Sequence, residues 1–132
     1  MSNVDPIADL LSRLRNGILI KKNEVVLPYS VLKENIIKIF RDEGYLKDYK
    51  VFEENNKKNI VVYLSYTDNG EPTIRGLRKI SLPSRRVYIK PKNMRLVLGG
   101  LGTGVISTSK GIKTIKECRK VGIGGEYICE IW

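Results

Sequence analysis

The sequence predicts an α+β fold: two small packed domains, an N-terminal α-β-α-β-β unit and a C-terminal, mainly β unit with one short helix. Three observations predict it. Helical apolar spacing with helix-start residues occurs in the first 44 residues and again only briefly near 114–121, while the remainder is rich in β-branched and aromatic residues. Eight of the 12 glycines lie between Gly99 and Gly125, which cuts that part of the chain into short segments. The charge also changes character at a strong turn signal, Asp68-Asn69-Gly70: residues 1–70 carry 11 basic and 10 acidic side chains, residues 71–132 carry 13 and 4. The division is therefore set there, with 1–70 as an N-terminal α/β domain and 71–132 as a C-terminal, basic, mainly β domain. Each part holds roughly 60–70 residues, a size at which a core is marginal alone. The halves are expected to pack together or to gain stability from a partner.

The elements follow in order. Asp5 is a good N-cap and Pro6 suits the first helical position, where its missing N–H costs nothing. Ile7, Leu10, Leu11, Leu14 and Ile18 have the spacing of a buried helical stripe. Glu24 to Leu27 reads as a short strand ending at Pro28. Ser30 caps a second helix whose predicted apolar face is Val31, Leu32, Ile36, Ile39 and Phe40, with Gly44 as its C′ residue. Tyr45–Phe52 and Asn59–Tyr66 form a predicted hairpin joined by the polar run Glu53–Lys58. Beyond the turn, Thr73–Leu82 and Arg86–Lys90 read as strands separated by Pro83-Ser84, and Arg95–Leu98 as a short apolar segment. Thr103–Ser107 is a further strand. Thr114-Ile115-Lys116-Glu117 has capping-box form and opens a short helix that stops at Gly122. Gly124-Gly125 turns the chain into a last strand, Glu126–Trp132.

Composition excludes several functions. There is no His, so no Ser-His-Asp or Cys-His dyad, no imidazole proton shuttle and no His-ligated metal. Cys118 and Cys129 are eleven apart, which is no CxxC motif; two reduced thiols in a cytosolic protein are the simplest reading. The N-terminus is acidic and amphipathic rather than basic then apolar, so no export signal is expected. The longest apolar stretch, Leu96–Ile106, is shorter than the ~20 residues a spanning helix needs, and glycines interrupt it. No cofactor, metal, membrane or small-molecule substrate is expected.

The net charge of +10 points to a polyanion. Between Arg75 and Lys120 there are 13 basic residues and one acid, Glu117. The glycine-rich segment Gly99–Gly111 invites comparison with nucleotide loops. A Walker A motif needs Gly-Lys, which the chain lacks, and Gly100-x-Gly102-x-Gly104 has the wrong spacing for a dinucleotide fingerprint and leads into a strand. Direct RNA contact fits better. The hydroxyls of Ser107, Thr108 and Ser109 can both donate and accept, which suits base edges and 2′-OH groups. Lys110 offers a mobile charge for phosphate, and Gly102 and Gly111 allow close backbone approach. A solvated hydroxyl-rich turn is the bland alternative. The rival classes are an enzyme, which lacks a visible catalytic constellation, and an anionic-membrane binder, which would need a basic amphipathic helix. A DNA-binding module is weaker, with no helix-turn-helix or zinc site readable.

Several segments together carry a resemblance. They are Asp5-Pro6-Ile7-Ala8-Asp9 and Arg13-Leu14-Arg15-Asn16-Gly17, then Gly100-Leu101-Gly102, then Ser107-Thr108-Ser109-Lys110-Gly111 with Thr114, and finally Gly122-Ile123-Gly124-Gly125-Glu126 near Trp132. Over nearly its whole length the chain resembles the bacterial-type small-subunit ribosomal protein eight family. The resemblance implies a two-domain α+β fold and a cytoplasmic, non-enzymatic constituent of the small ribosomal subunit. It implies binding to the central domain of small-subunit rRNA early in assembly, neighbouring small-subunit ribosomal proteins as partners, and repression of the chain's own operon mRNA. It carries the family's signature loop onto Ser107, Thr108, Ser109, Lys110 and Gly111, its stacking tyrosine onto Tyr88, and its loop before the last strand onto Gly124, Gly125 and Glu126.

Beside these, Arg86, Lys90, Lys92 and Lys113, with Arg78, Lys79 and Arg85, are candidate phosphate contacts. Arg13, Arg15 and Asn16 are candidates for a second RNA segment. Glu126 stands out, because an acid in a polyanion site is costly unless it accepts from base amino groups or orients a neighbour. Four positions depart from the family pattern: Gly104, expected to loosen its strand slightly, Ile115 and Lys116, and Glu130.

Overall fold

The computed structural model describes residues 5–132. Among them are three α-helices and two antiparallel sheets, and the chain divides into two compact units, one of Pro6–Arg75 and one joining Asp5 to Gly76–Trp132. The segment after the Asp68-Asn69-Gly70 turn folds back on the first unit through a Tyr66↔Pro72 bridge and a Thr73 N–H to Ser65 carbonyl bond of 3.0 Å.

In the first unit, α1 (Pro6–Leu19) and α2 (Val31–Asp42) accompany a three-stranded sheet of β1 (Glu24–Pro28), β2 (Leu46–Glu54) and β3 (Lys57–Leu64), in the order β1-β3-β2. α1 buries Ile7, Leu10, Leu11 and Leu14 of the predicted stripe; the fifth predicted residue, Ile18, is only half-buried and Gly17 is buried instead. Gly17 is there for closeness: a Cβ would stand 2.6 Å from a Val25 methyl. α2 opens on Ser30, whose hydroxyl accepts from the Lys33 N–H at 3.1 Å, and closes before Gly44 at φ +90°.

The buried face of α2 differs from the one read from the sequence. It is Lys33, Ile36, Ile37 and Phe40, while Val31 is exposed. Lys33 can be buried because its ammonium donates to the Pro28 carbonyl at 3.1 Å while its methylenes pack inward. The predicted hairpin is also longer than expected. Both strands run into the polar segment, and only Asn55 and Asn56 turn, each with positive φ, as a two-residue hairpin turn requires.

In the second unit, β4 (Leu77–Lys79), β5 (Tyr88–Ile89), β6 (Thr103–Thr108), β7 (Gly111–Thr114) and β8 (Gly125–Ile131) form one sheet ordered β4-β8-β6-β7, with β5 also on β8. β4 and β5 lie end to end along the same edge of β8: Leu77–Lys79 pairs with Ile131–Cys129, and Tyr88–Ile89 pairs with Glu126–Gly125. The two longer strands expected at Thr73–Leu82 and Arg86–Lys90 are thus short. Between them the chain stays on β8 through Ile80 and Val87 and loops out at a Leu82↔Arg85 bridge around Pro83-Ser84. The excursion falls where β8 has its own irregularity against β6, between Val105 and Ile106. Arg95–Leu98 runs into a 3-10 turn, Val97–Gly100.

α3 (Ile115–Val121) has the full capping box, with Thr114 Oγ1 accepting from Glu117 N–H at 3.2 Å and Glu117 Oε1 accepting from Thr114 N–H at 3.0 Å. Its Ile115 and Cys118 complete a core with Met94, Val97, Ile106 and Tyr127. Cys129 is also buried, and desolvation holds both thiols above their ordinary pKa, Cys129 pushed up to about 12. Trp132 packs on Gly76, where a Cβ would meet its ring at 2.3 Å.

Of the residues that depart from the family pattern, Gly104, Ile115 and Glu130 are neighbours in the structure, while Lys116 is exposed. Gly104 is buried and closely packed. A Cβ there would stand 2.3 Å from Cδ1 of Ile115, so the glycine makes room for the larger side chain. Glu130, paired with Gly104 across the strands, accepts from the Tyr127 hydroxyl and forms an ion pair with Arg78 at 3.1 Å.

Candidate nucleic-acid interface

Strand register assembles the site. Tyr88 on β5 and Ser107 on β6 both stand opposite Glu126 on β8. Directly opposed residues project to the same face, and adjacent strands are about 4.8 Å apart, so Tyr88, Glu126 and Ser107 form one row about 10 Å long. Tyr88 is 72% exposed. The opposite face at this level carries Ile89, Tyr127 and Ile106, which belong to or pack on the core. Local alternation therefore separates a row of exposed Tyr88 with half-buried Glu126 and Ser107 from an apolar face turned to the core.

The glycines before Glu126 serve that row. A Cβ on Gly125 would lie 2.1 Å from the Ser107 carbonyl oxygen, and one on Gly124 would lie 2.6 Å from the Ile89 carbonyl oxygen. Only glycine lets β8 enter between β5 and β6. Lys90, exposed, follows directly on Ile89, and its Cα would be 3.3 Å from the Gly124 Cβ.

The Ser107–Gly111 segment is the β6–β7 hairpin. Thr108 pairs with Gly111, and Ser109-Lys110 forms the exposed tip. The three hydroxyls divide in role. Thr108 Oγ1 accepts from the Lys110 N–H at 3.1 Å and donates to the Gly111 carbonyl at 2.7 Å, which closes the turn. Ser107 and Ser109 make no side-chain hydrogen bond within the described residues, so their donors and acceptors face outward. Gly111, at φ +107°, supplies a backbone conformation that a side chain would strain.

The Glu126 carboxylate is hydrogen-bonded on one of its oxygens. Its Oε2 accepts from the Ser81 hydroxyl at 2.5 Å and from Arg86 at 3.3 Å. Ser81, 1% exposed, also accepts from the Val87 N–H at 3.2 Å. Nothing in the sequence singles out Ser81, because its partner is 45 residues away; the only signal is a hydroxyl one residue before the Leu82–Arg85 turn.

The remaining candidates lie elsewhere. Lys92 is exposed in the 3-10 turn Pro91–Asn93. Lys113 pairs with Ile106 and so belongs to the face opposite Ser107. Arg13, Arg15 and Asn16 are on α1 in the first unit. Arg13 is paired with Asp9 at 3.0 Å and donates to the Val26 carbonyl at 3.1 Å. Arg13 and Asn16 line a concave surface of about 780 Å³ with Gly17, Ile20, Lys22 and Asn23.

Among the described residues no group of three or more His, Cys, Asp or Glu could hold a metal, and no helix is long and apolar enough to cross a membrane. Two small α+β units, a basic second half and a row of aromatic, acidic and hydroxyl groups beside a glycine hairpin describe a small, basic, two-unit α+β protein. The family model for ribosomal protein S8 matches residues 5–132. The small ribosomal subunit protein uS8 of Halothermothrix orenii is 48% identical over 132 residues, the full length of both chains, and that of Syntrophomonas wolfei is 47% identical over the same span. That of Moorella thermoacetica is 48% identical over 128 residues, 97% of this chain and 98% of its own. The chain belongs to the ribosomal protein S8 family, a family of small-subunit ribosomal proteins rather than of enzymes, and its place is the ribosome in the cytoplasm.

Proposed function

We propose that the chain binds small-subunit rRNA directly, in its central domain, and supports assembly of the subunit around that contact. The observation that carries this reading is the row of Tyr88, Glu126 and Ser107, set in register beside the Ser107–Gly111 hairpin. An exposed ring can stack on an unpaired base, serine hydroxyls can pair with base edges and 2′-OH groups, and an acceptor-only carboxylate can take a base amino group. Arg86, Lys90, Lys92 and Lys110 supply phosphate contacts around it. In this reading residues 71–132 are the RNA-binding domain, Lys113 reaches phosphate from the other side of the sheet, and Arg13, Arg15 and Asn16 meet a second RNA segment from residues 1–70. The same surface would take the chain's own operon mRNA where that message copies the rRNA shape, and so repress it.

Neighbouring small-subunit ribosomal proteins are assigned to a different surface, the exposed Leu98 and Leu101, which phosphates cannot solvate. Leu98 holds a left-handed conformation, φ 47° and ψ 43°, that leucine adopts only at a cost.

Crosslinking with mass spectrometry on assembled small subunits tests the reading. RNA adducts are expected at Tyr88, Ser109 and Lys110 within central-domain rRNA, and protein adducts at a photoreactive residue replacing Leu98. RNA adducts confined to residues 1–70 would overturn it. Tyr88→Ala is expected to weaken central-domain RNA binding by about 1–3 kcal/mol, the worth of one stacked base, and to leave the unfolding midpoint within about 0.5 kcal/mol of the parent. Tyr88→Phe should retain most of the affinity in the same titration.

A further inference from the structure

We infer that Ser81, Lys79 and Asp5 position the Glu126 carboxylate, so that its unpaired oxygen Oε1 becomes the acceptor that selects an exposed amino-bearing base. The inference rests on the RNA-binding reading and deepens it. The Glu126 side chain is 20% exposed and lies in the basic half of the chain, on a face that RNA would make strongly negative. A carboxylate there needs a fixed donor, or it turns toward the nearest cation. Ser81 is that donor, and its direction is determined. The hydroxyl has one proton. The Val87 N–H takes a lone pair at 3.2 Å, and the proton goes to Glu126 Oε2 at 2.5 Å. Because Ser81 is 1% exposed, water does not compete.

Ser81 is held in turn. Its backbone carbonyl accepts from the Lys79 ammonium, and Lys79 is closed by Asp5 Oδ2 at 2.8 Å, with side chains 11% and 16% exposed. Asp5 thereby neutralises Lys79, which holds Ser81 without adding a phosphate contact; Arg86, the other cation of the network, shares Glu126 Oε2 with Ser81. Both hydrogen bonds to Glu126 fall on Oε2, and Oε1 has none within the described residues. A carboxylate oxygen only accepts, so it favours the amino groups of adenine, cytosine or guanine over the carbonyl edge of uracil. Ser81, Lys79 and Asp5 are positioning residues; Glu126 is the one that touches RNA.

The test is a binding titration of the full chain with two probes: a transcript of the small-subunit rRNA central domain, and a scrambled transcript of equal length. The readout is the ratio of the two affinities, because a variant that merely misfolds loses both. Glu126→Gln should reduce the ratio about tenfold or more, and Ser81→Ala by several-fold. The double variant should lose no more than Glu126→Gln alone, since Ser81 acts through that carboxylate. Asp5→Asn, which keeps an acceptor but removes the charge, should lower the ratio about two- to threefold and serves where Ser81→Ala fails to fold. Unchanged ratios in Ser81→Ala and Asp5→Asn would overturn the inference, as would losses that multiply in the double variant. A parent chain with no preference between the transcripts would overturn the RNA-binding reading itself.

Discussion

Gly125→Ala is expected to destabilise the second unit by about 3 kcal/mol or more, the upper end of what overpacking costs. The added carbon would stand 2.1 Å from the Ser107 carbonyl oxygen and 2.9 Å from its carbonyl carbon. Both are backbone atoms, so no side-chain rotation relieves the overlap. β6 and β8 must separate where Ser107 faces Glu126, which breaks ladder bonds at the centre of the sheet. Gly111→Ala is the control. Nothing lies within 4 Å of its Cβ position, and only the strain of φ +107° opposes it, which costs about 1–2 kcal/mol. Denaturant melts of the two variants should therefore differ clearly in midpoint, with Gly125→Ala the lower. Equal midpoints would mean that β8 tolerates a side chain between its neighbours. The resemblance to the ribosomal family marks Gly124 and Gly125 as part of an RNA-contacting loop; the packing gives them a prior task, bringing Glu126 between Tyr88 and Ser107.

What could be read from the sequence was whatever is set by neighbours along the chain. The Thr114–Glu117 capping box, the Ser30 cap and the Gly44 helix stop each depend on residues within a few positions, and each is found in the structure. The apolar stripe of α1 was legible because its helix has one buried face of regular period. The face of α2 was not, because Lys33 is buried by a bond to Pro28 that no periodicity encodes. β4 and β5 were overestimated for a similar reason: Ile80 and Val87 still bond to β8, yet the regular pairing stops on either side of the irregularity in the partner strand. Ser81 and the Gly104–Ile115 fit were invisible. Each is a contact between residues far apart in sequence, and neither residue type is informative alone.

Replacing Lys90, Lys92 and Lys110 together by Gln is expected to lower the salt dependence of RNA binding clearly. All three are exposed and have no ion-pair partner among the described residues; Lys90 follows Ile89 beside the row, Lys110 is at the hairpin tip and Lys92 is in the Pro91–Asn93 turn. Each lysine that neutralises a phosphate releases a counterion, so its loss lowers the slope of log affinity against log salt by roughly 1. The triple variant should therefore show a slope smaller by about 2–3, with affinity for cognate and scrambled transcripts falling alike. Arg13 makes the contrast. Its guanidinium is already engaged by Asp9 and the Val26 carbonyl, so Arg13→Gln should change the slope less than any one of the three. Folding should be unaffected in the lysine variants, because exposed, unpaired side chains contribute little to stability. Titrations across a range of salt concentrations decide the matter. A slope equal to that of the parent would assign the phosphate contacts to other cations of the chain and leave the row of Tyr88, Glu126 and Ser107 without its basic surround. A slope reduced as expected, with the cognate-to-scrambled ratio preserved, would separate the two tasks: lysines for attraction, and the hydrogen-bonded acid, the ring and the free hydroxyls for choice.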